Sequence, residues 1–189
     1  KGNLSRYGKS TYLSKFNCEA EENIVNAKLL TTFSKRKGKD NLELVKSTPD
    51  KNVDHIIEDE LIRKDMDSHR AMKKEALINP KFEYEYKINP FYEINGVGLL
   101  YFASYPIISD YCESLFFNNM DAIEQWESQY FTCERDIIYY SNCNIDDKII
   151  YNLNSYKFIK NKVEISSSLY RKKDNKLMAK LFTVKKTNI

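Results

Sequence analysis

The spacing of apolar and polar positions divides the chain into distinct pieces. "STYLSKFNCEA" alternates weakly, "EEN" turns the chain, and "IVNAKLLTTFS" is rich in β-formers, so a β-hairpin is predicted over 10–34. The same order returns near the end. "VEISSSLYR", a turn at "KKDNK" and "LMAKLFTV" predict a second hairpin over 163–184. "KFEYEYKIN" alternates strictly and puts Phe82, Tyr84 and Tyr86 on one face of a strand. "GLLYFASYPIISDYCESLFF" has no such alternation and predicts an apolar helix from Gly98 to about Phe117, which Pro106 is expected to kink. A polar loop and a short helix around Trp126 follow. "RDIIYYSNCN" and "KIIYNLNSYKFI" then read as strands, joined by an Asn/Asp turn at "NIDD". Earlier in the chain, "HIIEDELIRKDMDSHRAMKKEAL" (55–77) lacks Gly and Pro, is highly charged, and predicts a solvated helix between Pro49 and Pro80.

The two hairpins share a phrase. Ala27-Lys28-Leu29-Leu30-Thr31 echoes Ala179-Lys180-Leu181-Phe182-Thr183, and Asn23 and Asn175 stand at equal distances ahead of it. Either one β-rich unit has been duplicated, or two unrelated surface hairpins share a short echo. Under duplication, residues 1–50 are the carboxy-terminal part of a first unit, 51–80 a linker helix, and 81–189 a second unit. The interval between the copies carries Asn95 back beyond Lys1. The first unit is therefore expected to lack its front portion, through truncation or degeneration.

Composition narrows the choices. With 42% hydrophobic and 30% charged residues the chain can bury a core, which excludes wholesale disorder. Thirty basic and 27 acidic residues leave a net charge of +3, too little for the field of a nucleic-acid binder. The basic run at 35–39 reads as a turn. Four cysteines without CxxC pairing and only two histidines argue against a metal site and for reduced thiols in a cytoplasmic protein. His55 and His69 fall on the charged helix and are expected to face solvent. The longest apolar run is broken by Asp110 and Glu113, so no membrane span is expected.

The densest chemistry lies in "NPFYEINGVGLLYFASYP" (89–106), which holds two of five glycines and two of four prolines. Gly96 and Gly98 let backbone approach a ligand without a Cβ in the way. The amides of Gly98 and Leu99 would then face a carbonyl or carboxylate at the helix start, with Gly96 and Val97 beside it. The plainer alternative is that the glycines only permit a tight turn. Asn95 can orient a substrate or stabilise an enolate through hydrogen bonds, or serve left-handed turn geometry. Tyr105 is a nucleophile, a proton donor or a wall; an unperturbed phenol titrates near pH ~10, so attack needs activation. Tyr101 is expected to pack against the sheet. Asp110 and Glu113, three apart on one helical face, form a polar site wall or an outward stripe. Arg135 and Asp136 are candidates for contacts with a partner copy.

"INGVGLLYFASYPIISD" resembles the helix-entry segment of acyl-thioester hotdog enzymes. That resemblance implies an α+β hotdog fold, a long central helix wrapped by a curved antiparallel sheet, with the second unit complete and the first truncated on its amino-terminal side. Against hydroxybenzoyl-CoA-type thioesterases, Asn95 takes the place of the catalytic carboxylate, Gly98 the glycine at the helix start, Tyr105 the helix tyrosine and Asp110 the later aspartate. An amide cannot attack a thioester or activate water, so the usual carboxylate route to hydrolysis is not expected. "NGVGLLYFASYP", the paired hairpins and "TTFSKR" are similar to the double-hotdog acyltransferase/decarboxylases of leinamycin-type polyketide assembly. This narrower resemblance implies acyl transfer or decarboxylation on an acyl-CoA or phosphopantetheine thioester. It also implies an acyl carrier protein as partner, no separate cofactor, and pairing of hotdog units, including as a homodimer. Its catalytic set is Asn95, Gly98, Leu99 and Tyr105; its substrate-binding set is Gly96, Val97, Asp110 and Glu113. A hotdog thioesterase and a non-catalytic binding or assembly module are the alternatives. A dehydratase fits least, since both histidines lie away from the motif.

Overall fold

Strands occupy the alternating stretches, and they gather into separate sheets. In the computed structural model, which describes residues 2–20, 23–38, 41, 44–49, 55–74, 79–120 and 125–187, the chain divides into two units, Lys1–Glu75 and Ala76–Ile189.

The first unit contains the predicted hairpin as β2 (Thr11–Ala20) and β3 (Asn23–Thr32). A strand that the pattern did not reveal, β1 (Gly2–Tyr7), pairs antiparallel with β2 and completes the order β1-β2-β3. The basic run, expected as a turn, begins in a strand, bends at Lys37 and Gly38, and at Lys39 passes outside the described residues. Lys35 and Arg36 belong to β4 (Ser34–Arg36), paired with Val45 and Leu44 of β5 (Leu44–Lys46). The charged helix is α1 (Leu61–Lys74), and it starts later than predicted. Residues ahead of it are drawn to β1: the Arg6 amide donates to the Ile57 carbonyl (2.9 Å), and the Asp59 amide to that of Arg6 (2.8 Å). Asp59 Oδ1 then accepts from the Leu61 amide at 2.9 Å, which fixes the helix start. Part of the predicted linker, 51–54 and 75–78, lies outside the described residues. His55 is exposed in a turn ahead of α1, while His69 is on α1 and its side chain lies outside what is described. Ile62 and Leu13 are buried, and Lys28 pairs with Asp65, so α1 packs on its own unit's sheet.

The second unit is a five-stranded antiparallel sheet. Its strands are β6 (Phe82–Lys87), β7 (Tyr130–Tyr139), β8 (Lys148–Ile159), β9 (Lys162–Arg171) and β10 (Lys176–Thr187), in the order β6-β8-β9-β10-β7. Register breaks at Leu153/Ser155, Leu177/Ala179 and Val184/Lys185 bend the sheet. Across it lies α2 (Ser104–Phe117). Tyr105, Ile108, Cys112 and Phe117 of this helix share a core with Tyr151, Leu153, Ile165, Leu169 and Leu181 of the sheet. Each fully buried leucine there contributes about 2 kcal/mol. Trp126, opening α3 (Trp126–Gln129), stacks on Phe117 at 4.1 Å and Tyr130 at 4.3 Å and closes one end.

The central helix is shorter than its apolar run suggested, because it begins at Ser104 rather than Gly98. The Tyr101 amide is held by the Glu93 carbonyl at 2.7 Å, and the Leu100 amide by Asn142 Oδ1 at 2.9 Å, so the backbone stays extended through them. Pro106 consequently falls in the first turn, where no amide donor is needed, and makes no kink in mid-helix.

Candidate functional site

Ile94 and Leu100 form an isolated antiparallel bridge, and the residues between them fold on themselves. The Asn95 amide donates to the Leu99 carbonyl (2.8 Å), and the Gly98 amide to the Asn95 carbonyl (2.9 Å). Asn95 Oδ1 accepts from the amides of Val97 (3.1 Å) and Leu99 (3.0 Å). Gly98 has φ +77°, a conformation that favours glycine. The amides of Gly98 and Leu99 were expected at a helix mouth, facing a ligand. They turn into the loop instead, and the helix starts beyond them. Gly96 has nothing within 4 Å of where a Cβ would stand, and Val97 is 63% exposed, so these two form the outward apex of the loop.

Two residues that the pattern did not single out anchor this loop. Asn142 grips Leu100 from both sides, accepting from its amide and donating to its carbonyl at 3.1 Å. Buried Glu93 accepts from the Tyr86 hydroxyl (2.5 Å) and the Asn89 amide (2.5 Å). Asn142 lies far off in sequence and gave no local signal. Glu93 stands four residues after Asn89, a spacing that fits a local turn.

Tyr105 is buried and donates its hydroxyl to the Ser141 carbonyl at 3.0 Å. Burial, with charge repulsion from Cys143 and Tyr139, raises its pKa far above the ordinary phenol value. The proton stays on at neutral pH, and the ring is a wall, edge-on to Tyr139 at 4.9 Å. Tyr101 does not pack on the sheet as expected; it is exposed and edge-on to Phe102 at 4.6 Å.

The spacing of Asp110 and Glu113 does place both toward one cluster, at different depths. The Asp110 side chain is 41% exposed, and that of Glu113 is fully buried. Arg135 of β7 forks Asp110, Nη1 to Oδ2 at 3.0 Å and Nη2 to Oδ1 at 2.6 Å. Arg135 is thus paired within its own unit, while Asp136 is exposed. Lys185 of β10 bridges the two acids, 2.7 Å from Asp110 Oδ1 and 3.1 Å from Glu113 Oε2. Ser109 Oγ donates to Glu113 Oε1 at 2.8 Å and lies 3.1 Å from Ser167 Oγ. Burial opposes charge on Asp110, but Arg135 and Lys185 outweigh it and hold the pKa below the usual carboxylate value. For Glu113 burial wins: its pKa is raised, and Lys185 and Ser109 offset this only in part. Lys185 could have been found from alternation, since Leu181, Thr183 and Lys185 share a strand face.

Among the described residues, no group of three or more His, Cys, Asp or Glu is placed to hold a metal ion, and no helix is long and apolar enough to cross a membrane. All four cysteines are free thiols.

No protein-family model matches the chain, and no curated protein matches its sequence. Solved structures do match. A thioesterase from Thermus thermophilus, complexed with coenzyme A and zinc, gives a TM-score of 0.51 at 9% identity, over 57% of this chain and 84% of that one. A Staphylococcus aureus protein solved in complex with coenzyme A gives 0.50 at 18% identity, over 60% of this chain and 73% of that one. Both cover about the share of the chain that Ala76–Ile189 makes up. At these identities the likeness is one of fold: a central helix laid across a bent antiparallel sheet, the hotdog fold.

Proposed function

We propose that the second unit binds and processes acyl thioesters of coenzyme A or of phosphopantetheine-bearing carrier proteins. The carrying observation is an ionised, half-exposed carboxylate, Asp110, on the central helix of a hotdog unit, flanked by the exposed side chains of Ile107 and Tyr111. The coenzyme A in the two similar structures supports this reading. An acyl or pantetheine chain lies along Ile107 and Tyr111, with its carbonyl at Asp110. Among the described residues, Asp110 Oδ2 accepts one hydrogen bond, from Arg135, and keeps acceptor capacity. It takes a proton as water, or an acceptor thiol, attacks the carbonyl carbon. The C–S bond breaks, and the leaving thiolate recovers that proton. Arg135 and Lys185 supply positive charge for the developing oxyanion. Asn95 shapes the loop ahead of α2 and has no part in the proton transfer.

The finer reading rests on "NGVGLLYFASYP". It is acyl transfer, with or without decarboxylation, in polyketide-like assembly with an acyl carrier protein. The first unit is then the carboxy-terminal part of another hotdog, and units pair within the chain or in a homodimer.

Thiol release from acetyl-, malonyl-, methylmalonyl- and benzoyl-CoA and their carrier-protein forms tests the proposal. Release is expected, falling about 10²-fold in Asp110→Asn with the circular dichroism spectrum retained. Full rate in that variant removes Asp110 from the chemistry. Binding without turnover makes the unit a binding module, and neither binding nor turnover overturns the proposal.

A further inference from the structure

The basic run that begins in β4 has no role in the thioester chemistry. One of its lysines belongs to a recess lying wholly within the first unit. The recess has a volume of about 340 Å³ and is lined by Lys9, Ser10, Lys35, Lys46, Ser47 and Thr48. Sites for small molecules span roughly 300–1,000 Å³, so this one suits a compact group.

Three segments far apart in sequence build it. Lys9 and Ser10 lie in the turn from β1 into β2, Lys35 is the middle residue of β4, and Lys46 to Thr48 run on from the end of β5. Phe33 ties the segments together. Its amide donates to the Ser10 carbonyl at 2.8 Å, and its carbonyl accepts from the Ser47 amide at 2.9 Å. Its ring stands edge-on to buried Tyr12 at 5.2 Å. Backbone bonds and a ring contact therefore hold the recess in shape, and the lysine side chains are not needed for that.

The charge around it is one-sided. Among the described residues no carboxylate lines the recess, and none of the three lysines is in an ion pair. Glu58 accepts from the Gly8 amide at 3.2 Å and is not part of the lining. Where lysines gather elsewhere they share an acid: Lys148 and Lys172 both pair with Glu85. Ammonium groups brought together without such an acid repel one another, and an anion seated among them removes that cost. The hydroxyls of Ser10, Ser47 and Thr48 add donors that suit phosphate oxygens.

We infer that this recess binds the diphosphate group of a small molecule. A monophosphate ester carries about −1.5 to −2 charges at neutral pH, fewer than three ammonium groups neutralise, and a diphosphate balances them better. The basic lining is confined to this recess, and a net charge of +3 gives no extended field for a nucleic-acid backbone. The inference stands on the first unit alone and is independent of the thioester reading.

Titration calorimetry on the full chain tests it, with inorganic pyrophosphate and ADP as probes. Pyrophosphate is expected to bind, and to bind more weakly as sodium chloride is raised. The triple variant Lys9→Gln/Lys35→Gln/Lys46→Gln should weaken binding about tenfold or more. A control triple, Lys81→Gln/Lys87→Gln/Lys157→Gln, removes the same charge from exposed positions of the second unit and should weaken it less than about twofold. Should the first triple melt early, Lys35→Gln against Lys35→Arg repeats the test, with binding reduced in the one and kept in the other. ADP binding at least as tight as pyrophosphate identifies a nucleotide as the source of the diphosphate, and weaker binding identifies the free anion. Equal losses in the two triples overturn the proposal, as does no binding of pyrophosphate at ~10 mM. A single-stranded oligonucleotide that displaces ADP and is lost in the first triple also overturns it. Thioester turnover, measured on the same samples, separates failure of this inference from failure of the catalytic reading.

Discussion

The loop around Asn95 and the cluster around Asp110 handle polar atoms in opposite ways. The loop closes on itself: neutral amides, two carbonyls and one side-chain oxygen satisfy one another between Asn95 and Leu99. The cluster draws its partners from distant strands, Arg135 on β7 and Lys185 on β10, around two acids of one helix. A self-satisfied loop holds a shape but offers a substrate little. A cluster with one acid at the surface and one at full burial keeps charge available at its rim and holds it in place from beneath. Under the proposed function, catalysis that moves a proton belongs to the second arrangement, and the first holds the backbone ahead of α2 in shape.

The largest effect is expected from breaking the floor of the cluster. Lys185→Met leaves buried Glu113 without its cation and should cost about 3 kcal/mol at neutral pH, read from urea denaturation. Glu113 has a raised pKa in the folded state, so its contribution is most favourable below the unfolded carboxylate value near ~4.3 and is lost as pH rises through the folded value. Without Lys185 that folded value climbs further, so the deficit should be small near pH 5 and large near pH 8. Asp110 runs the other way, its lowered pKa adding stability that is lost in acid. Arg135 and the half-exposed position keep that opposing change small. A deficit under ~1 kcal/mol, or one equal at both pH values, removes the buried-pair account.

Next in size is the loop. Asn95→Ala strips two amides of one acceptor and should cost about 2 kcal/mol, while Asn95→Asp keeps the acceptor and most of the stability. Thermal melts rank the three proteins. The comparison also predicts that Asn95→Ala slows thioester turnover less than Asp110→Asn does. The reverse order would return the chemistry to the loop.

Much of this was legible before any coordinates. Strand alternation located the hairpins and β8, and the apolar run located the central helix, because side-chain period and backbone geometry are locally linked. The shared Ala-Lys-Leu phrase falls on β3 of one sheet and β10 of the other. What failed was local structure decided by distant partners. Asn142 and Glu93 hold residues 100 and 101 out of the helix, and β1 is a strand because β2 offers it an edge. For the site, the three-residue spacing of Asp110 and Glu113 was visible. Their opposite electrostatic fates were not, since Arg135 and Lys185 arrive through sheet register.

The smallest predicted effect separates the two glycines of the motif, which sequence treats alike. Gly98 has a left-handed backbone and open space at its would-be Cβ, so an alanine there meets strain without a clash. Gly98→Ala should cost about 1 kcal/mol from backbone strain alone. Gly96 has equally open surroundings and no positive φ, so Gly96→Ala should change stability by less than ~0.5 kcal/mol. If the loop apex touches the thioester, Gly96→Ala raises KM in the turnover assay at unchanged stability, whereas Gly98→Ala lowers the melting temperature first. Equal stability losses at both positions would mean that the turn is not set by Gly98, and the contrast between a self-contained loop and a strand-built cluster would lose its first member.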